Sequence, residues 1–490
     1  MLKNYIKYIS ISLLLSLFMF GCKASDPAGK IQSESGNVLQ LFSYAPDSLN
    51  PITTKNNVNR EMLNLIYEPL IWCDNSLNPI PILATDWSCA NEGMTWYITI
   101  RENVLMHDGN PLTTADVIYS LNSARSSDIY SKNLTDVQAV SASGNVIIID
   151  LKSPQPSFIN LLEIPIVRNS SNPIGTGCYT YAGQITNKII SLTAFPDWWN
   201  SDKPHIKNIE VKLLPDANTS FFAYDAGEID VVFADVTDLG KYTSGRNSTI
   251  ATVSTNNYNF LMLNNTRLNN IDFRKAISYA INKEKIASDI FGSRVTPTNT
   301  FLNPNWTIYS GELDGYDYNP KASRDILEAY KGSRSLEIIV NSENESRVNT
   351  ATFISENLKE VGIDARIRKL SWDSFAAAVN SQQYDAFLGE ISLINNANCT
   401  YLFGKTNQNY ANYSSTDMET AISSWYSQST YAGMQGGYHY MQEQYLKDLP
   451  FISLYFELRA VLYSDKIICT KGFTPIPNNT YYGINYWQKV

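Results

Sequence analysis

Three observations predict an α/β fold with more than one hydrophobic core. The first is length: 490 residues exceed what one core serves, since chains beyond about 250–300 residues divide into domains. The second is a regular alternation late in the chain. A strand over 336–340 precedes a helix from about 347 to 361, a strand over 363–370, a helix from 372 to about 382 and a strand over 384–391. Parallel strands need a crossover helix, so this order predicts a parallel, doubly wound sheet. The third is period-two alternation earlier, in Met94-Thr-Trp-Tyr-Ile-Thr-Ile100 and over 145–151, which reads as half-buried strands.

The remaining elements follow from local signals. A short strand over 38–42 ends in the turn Ser43-Tyr44-Ala45-Pro46. Between the two half-buried strands, Thr113 and Asp116 make a capping-box start, and Val117, Leu121 and Ala124 fall on one helical face. After Asp272, the residues Phe273, Ala276, Ile277, Ala280 and Ile281 recur at the helical period. With 44% hydrophobic and 17% charged residues, the chain carries enough apolar surface to fold. Net charge is −9 and no Lys/Arg run occurs, so a nucleic-acid partner has no electrostatic footprint.

The first residues read as an export signal, 1–21. Lys3 and Lys7 are followed by an apolar stretch over 9–20, broken only by Ser10, Ser12 and Ser16, and then Gly21-Cys22. That stretch is too short for a comfortable membrane span. A small residue before Cys is the mark of lipoprotein processing, so Cys22 is expected to carry acyl chains that anchor the protein to the outer face of the bacterial membrane. Met19 and Phe20 depart from the commoner residues there. Residues 22–37 are rich in Ser, Gly, Glu and Lys and suit a flexible tether.

Catalytic chemistry leaves little trace. The three histidines, His107, His205 and His439, sit in no nucleophile elbow or zinc-binding helix motif. Gly175-x-Gly177 and Gly292-Ser293-Arg294 lack the spacing of phosphate-binding loops, and Asp225 with Glu228 reads as a solvated helix end. The cysteines after Cys22, namely Cys73, Cys89, Cys178, Cys399 and Cys469, match no zinc pattern. Neither a metal nor a cofactor is expected. Cys73 and Cys89 are the only pair close in sequence, and whether they join is left open.

Several segments, taken together, resemble the extracellular solute-binding proteins of family 5, the oligopeptide, dipeptide and nickel receptors of ABC importers. They begin with Ser48-Leu-Asn-Pro51 and Ile66-Tyr-Glu-Pro-Leu70. More specific are Pro81-Ile-Leu-Ala-Thr-Asp-Trp87, Gly93-Met-Thr-Trp96, Ile100-Arg-Glu-Asn-Val104, His107-Asp-Gly109 and Leu112-Thr-Thr-Ala-Asp-Val117, in that family's order. Pro173-Ile-Gly-Thr-Gly177, Phe195-Pro-Asp-Trp-Trp199, Gly315-Tyr-Asp-Tyr-Asn-Pro320, Val361-Gly-Ile363 and Gly472-Phe473 continue it.

The resemblance implies a two-lobed Venus-flytrap fold of the periplasmic-binding-protein type, with an extra subdomain in the first lobe. Residues 38–50, 170–257 and 463–490 would form the base of that lobe, 51–169 its extra subdomain and 258–462 the second lobe, with the hinge at 256–263 and 460–464. It also implies that His107 and Asp108 are structural and that Trp198 and Trp199 pack the lobe. The implied partners are a small solute and the permease subunits of an importer with cytoplasmic ATPases, the receptor itself being a monomer and not an enzyme. A sensory receptor on the same fold, and an exported hydrolase, are the competing classes.

Ligands in doubly wound sheets sit beyond the carboxyl ends of the strands, which singles out 341–343, 370–372 and 390–398, and less strongly 43–45. The resemblance implies that peptide-binding members carry an Asp in the segment matching 389–398, where it meets the peptide's amino terminus. Here that segment holds Glu390, Asn395, Asn396 and Asn398 and no Asp. Glu390 could anchor an amine, or the amides could hold an uncharged solute such as an oligosaccharide, with Tyr44, Trp372 and Tyr401 supplying aromatic faces and Ala45 beside them. A peptide is favoured from what the family most often binds.

Overall fold

The computed structural model describes residues 38–155, 157–234, 244–395, 397–403, 409–428 and 430–490. Cys22, the signal and the tether lie outside the described residues.

Two sheets and a shared core build the first part of the chain. The opening strand Val38–Tyr44 runs parallel to Asn208–Leu214, which continues antiparallel into Ile189–Ala194 and Tyr179–Thr186. A separate four-stranded antiparallel sheet joins Ala84–Ala90, Thr95–Ile100, Val146–Leu151 and Val137–Ser143. Helix Thr114–Arg125 starts where the sequence places it: the Thr113 hydroxyl accepts from the Asp116 N–H, and the Asp116 carboxylate accepts from the Thr113 N–H in return. That reciprocal pair satisfies two donors the first helical turn would leave open. The helix buries Val117, Leu121 and Ala124 in one core with Ile98, Ile147, Ile149, Leu39, Leu41 and Val211.

The second part is built on one seven-stranded sheet. Strands Ser335–Asn341, Asp364–Leu370 and Ala386–Ser392 are parallel, linked by helices Glu345–Glu360 and Trp372–Asn380, as the alternation predicts. The sheet is mixed, not parallel throughout. Beyond Ala386–Ser392 it continues through two long antiparallel strands, Ser248–Leu263 and Phe451–Ser464, to Val231–Ala234. Antiparallel neighbours need no crossover helix, so these strands escape an alternation test. One face of the sheet buries Leu261, Leu388, Ile338 and Ile354, and the other buries Phe260, Phe387, Tyr445 and Trp425.

The two long strands tie the two parts together. From Ser248 to Ser254 the first pairs with Leu458 to Ser464, and from Tyr258 to Met262 it pairs with Phe451 to Phe456. The ladder is broken between those stretches, where the Thr255 hydroxyl donates to the Glu457 carbonyl at 2.8 Å. Residues 460–464 lie in regular pairing, and a second register shift falls between Asn259 and Phe260. Cys73 and Cys89 are not joined to each other: Cys73 is buried beside the Asn160 carbonyl, and Cys89 sits on a different sheet opposite Trp96.

A candidate ligand-binding cleft

Where the paired strands lose register, a cleft of about 370 Å³ opens. Its walls come from helix Asn57–Leu63, from Tyr130, Asn133 and Glu163, from residues 255–257 and Arg459 on the long strands, and from Ser392 to Asn395. The last segment directly follows the parallel strand Ala386–Ser392, one of the strand ends the carboxyl-end rule singles out.

Charge in the cleft is arranged in two different ways. Glu61 is paired: Arg459 Nη1 lies 2.5 Å from its Oε1, and the Thr480 N–H donates to Oε2 at 2.7 Å. Arg60 caps the preceding loop by donating to the carbonyls of Thr54 and Lys55, and burial pulls its pKa down. Glu163 has no ion-pair partner among the described residues. Its carboxylate accepts from the Cys73 N–H, from the Asn395 amide, and from the Asn478 amide at 2.6 Å. Burial pushes its pKa up to about 7, against the lowering effect of those hydrogen bonds. Asn395 is held in turn by the Asn256 amide, which donates to its Oδ1 at 2.6 Å.

The other site residues expected from sequence fall elsewhere. Glu390 is ion-paired with Arg347 at 2.9 Å, and Arg347 also donates to Asn341 Oδ1 at 2.8 Å, so two of the three strand ends meet there. Trp372 begins its helix, is 56% exposed, stacks on Phe375 and donates its backbone N–H to the Glu343 carboxylate. Asn398 turns inward, accepting from the Thr400 N–H and hydroxyl and donating to the Tyr426 hydroxyl at 3.2 Å. Tyr401 packs half-buried against the second core, Tyr44 packs edge-on to Phe42, and Ala45 is exposed. None of these six is among the described residues lining the cleft. Asn396 lies outside the described residues.

His107 packs as a structural residue. Its Nε2 donates to the Gly177 carbonyl at 2.9 Å, its Nδ1 accepts from the Gly175 N–H at 3.4 Å, and its ring meets Phe195 edge-on. Burial lowers its pKa, which favours the neutral ring that pattern requires. Asp108 is ion-paired with Arg168. Both Gly175 and Gly177 run against the backbone of Ile66, where a Cβ would come within 2.2 and 2.5 Å. Trp198 and Trp199 both donate to the buried carboxylate of Glu68, at 3.0 and 2.8 Å.

Sequence reading misses Arg60, Glu61, Glu163, Arg459 and Asn478. One signal was present: Glu163 stands in the apolar run Leu161-Leu-Glu-Ile164, where a charged residue has to have a reason. Among the described residues no group of three or more His, Cys, Asp or Glu gathers as for a metal ion. No described helix is long and apolar enough to cross a membrane.

Residues 78–412 match the bacterial extracellular solute-binding proteins, family 5 Middle. The chain belongs to this family. It is therefore a two-lobed solute-binding protein. It is 21% identical to the oligopeptide-binding protein AppA of Bacillus subtilis (strain 168), over 99% of this chain and 98% of that one. It is 22% identical to the dipeptide-binding protein DppE of the same organism, over 75% and 77%. Among solved structures, the ABC transporter substrate-binding protein CtaP of Listeria monocytogenes superimposes with a TM-score of 0.78 at 20% identity, covering 93% of this chain and 99% of that one.

Proposed function

We propose that this family 5 protein captures peptides between its lobes outside the cytoplasmic membrane, tethered by a lipid on Cys22, and delivers them to the permease subunits of an ABC importer with cytoplasmic ATPases. It does so as a monomer and without catalysis. The observation that carries the reading is the lining of the cleft: Asn57, Asn64, Asn133, Asn256, Asn257, Asn395 and Asn478 all face it, together with charges of both signs. A side-chain amide offers one acceptor and two donors, the complement of a peptide bond, and the charges suit a ligand with charged ends. The names of the relatives, oligopeptide-binding and dipeptide-binding, point the same way. The lobe limits proposed are 38–50 with 170–257 and 463–490, 51–169, and 258–462.

A second reading has its own support. Glu61 and Glu163 are already occupied by protein donors, and Trp72 and Tyr130 add aromatic surface to the amides, which suits an uncharged oligosaccharide. Thermal melting with tri-alanine, penta-alanine and maltotriose separates the two. A ligand at a hundredfold excess over its Kd stabilises the native state by about 2.7 kcal/mol, enough to raise Tm measurably. A rise with a peptide supports the first reading, and a rise with maltotriose alone supports the second. For the anchor, Cys22→Ser should move the protein from the membrane fraction to the medium; retention in the membrane would overturn the lipid.

A further inference from the structure

We infer that the cleft receives a solute bearing an ammonium group and that Glu163 is the carboxylate that receives it; this rests on the reading of the cleft as a peptide site. Glu163 is 7% exposed, lines the cleft, and makes no ion pair among the described residues. A buried carboxylate needs a counter-charge or costs several kcal/mol relative to its neutral form. Its two side-chain donors come from residues that also line the cleft: Asn395 follows the last parallel strand of the second lobe, and Asn478 belongs to the C-terminal segment and is itself exposed. Such amides can be displaced by an entering donor. The third donor, the Cys73 N–H, is backbone and stays.

The other charges of the cleft cannot take that role. Glu61 is neutralised by Arg459, and Arg60 repels an ammonium group. The Glu390 carboxylate is neutralised by Arg347 outside the cleft. The titratable groups facing Glu163 are the Cys73 thiol and the Tyr130 phenol; burial pushes the first well up and the second up to about 12, so both stay neutral at physiological pH. With its own pKa near 7, Glu163 carries a proton part of the time in the empty cleft and loses it when a cation arrives. Affinity for a cation should therefore fall with pH below neutrality.

The test is titration calorimetry of the full mature chain with penta-alanine, N-acetyl-penta-alanine and spermidine, on wild type and Glu163→Gln. The expected result is at least tenfold tighter binding of the free peptide than of the acetylated one, with most of that difference lost in Glu163→Gln. The wild type carries a second readout should the variant misfold. Between pH 7 and pH 6 its affinity for penta-alanine should drop about fivefold, the ratio of ionised carboxyl at those two values, while the peptide amine, ordinarily near 8, remains charged. Equal binding of both peptides by the wild type overturns the inference and leaves a peptide receptor standing. Binding of spermidine alone, lost in Glu163→Gln, supports the ammonium site and ends the peptide reading. No binding of any of the three overturns both.

Discussion

Glu68 and Glu163 are two buried carboxylates of the first part of the chain, alike in burial and both pushed up to about 7, yet they are surrounded differently. Glu68 accepts from the Trp198 and Trp199 indoles and the Thr176 hydroxyl, all donors from one short stretch of the chain, 176–199. Glu163 accepts from one backbone N–H and from two cleft amides, one of which follows the strand Ala386–Ser392 of the seven-stranded sheet. Glu68 and its two indole donors also border a cavity, of about 290 Å³, but a carboxylate held by bulky indoles from one part of the chain is a structural keystone. One held by slender amides from two distant parts of the chain is available to a visitor. The chemical type and the burial are the same, and only the origin of the donors distinguishes the two roles.

The largest expected effect is on Glu68. Replacing it with Leu strands two indole N–H groups and a hydroxyl, each worth about 1–3 kcal/mol when buried without a partner, so urea unfolding should show a loss of about 3–5 kcal/mol. Ligand affinity should stay unchanged in whatever protein remains folded. A loss under about 1 kcal/mol would erase the distinction from that side.

The pH dependence of stability comes next. Both carboxyls have folded pKa values raised above the unfolded range by burial, so the native state keeps protons that the unfolded chain releases near pH 4.5. Their contribution is complete below that range and disappears as pH rises through about 7. Unfolding free energy should therefore fall between pH 5 and pH 7.5 by up to about 3 kcal/mol per group. Glu68→Gln and Glu163→Gln should each flatten the slope, and a bound cation should alter the Glu163 share alone. A profile unaffected by either variant would contradict the assignment.

Smaller effects sharpen the contrast further. Trp199→Phe removes one of the three donors to Glu68 and should cost about 1–2 kcal/mol in the same unfolding measurement. Asn478→Ala removes an exposed donor to Glu163 and should cost less than about 1 kcal/mol while changing ligand affinity measurably. If Asn478→Ala proved the more destabilising of the two, the amides around Glu163 would be structural after all.

Much of the architecture was legible because it is written in local chemistry. The Thr113/Asp116 capping pair and the strand–helix alternation over 335–392 declare themselves within a few residues. The long strands do not: the first half of Ser248–Leu263 is rich in Ser, Thr and Asn, and its partner lies some 200 residues away. The same division runs through the cleft. Asn395 follows from the rule about strand ends, whereas Arg60, Glu163 and Arg459 reach it from a short helix, a loop and a crossing strand that only the folded chain brings together. Asn398 misled because an Asn side chain readily bonds the backbone two residues on, as it does here with Thr400.

The most direct measurement of what the cleft holds is native mass spectrometry of the protein purified from its own host. A peptide receptor should carry co-purifying peptides with free amino ends, displaced by added penta-alanine. A carbohydrate in the cleft, unmoved by penta-alanine, would contradict the peptide assignment.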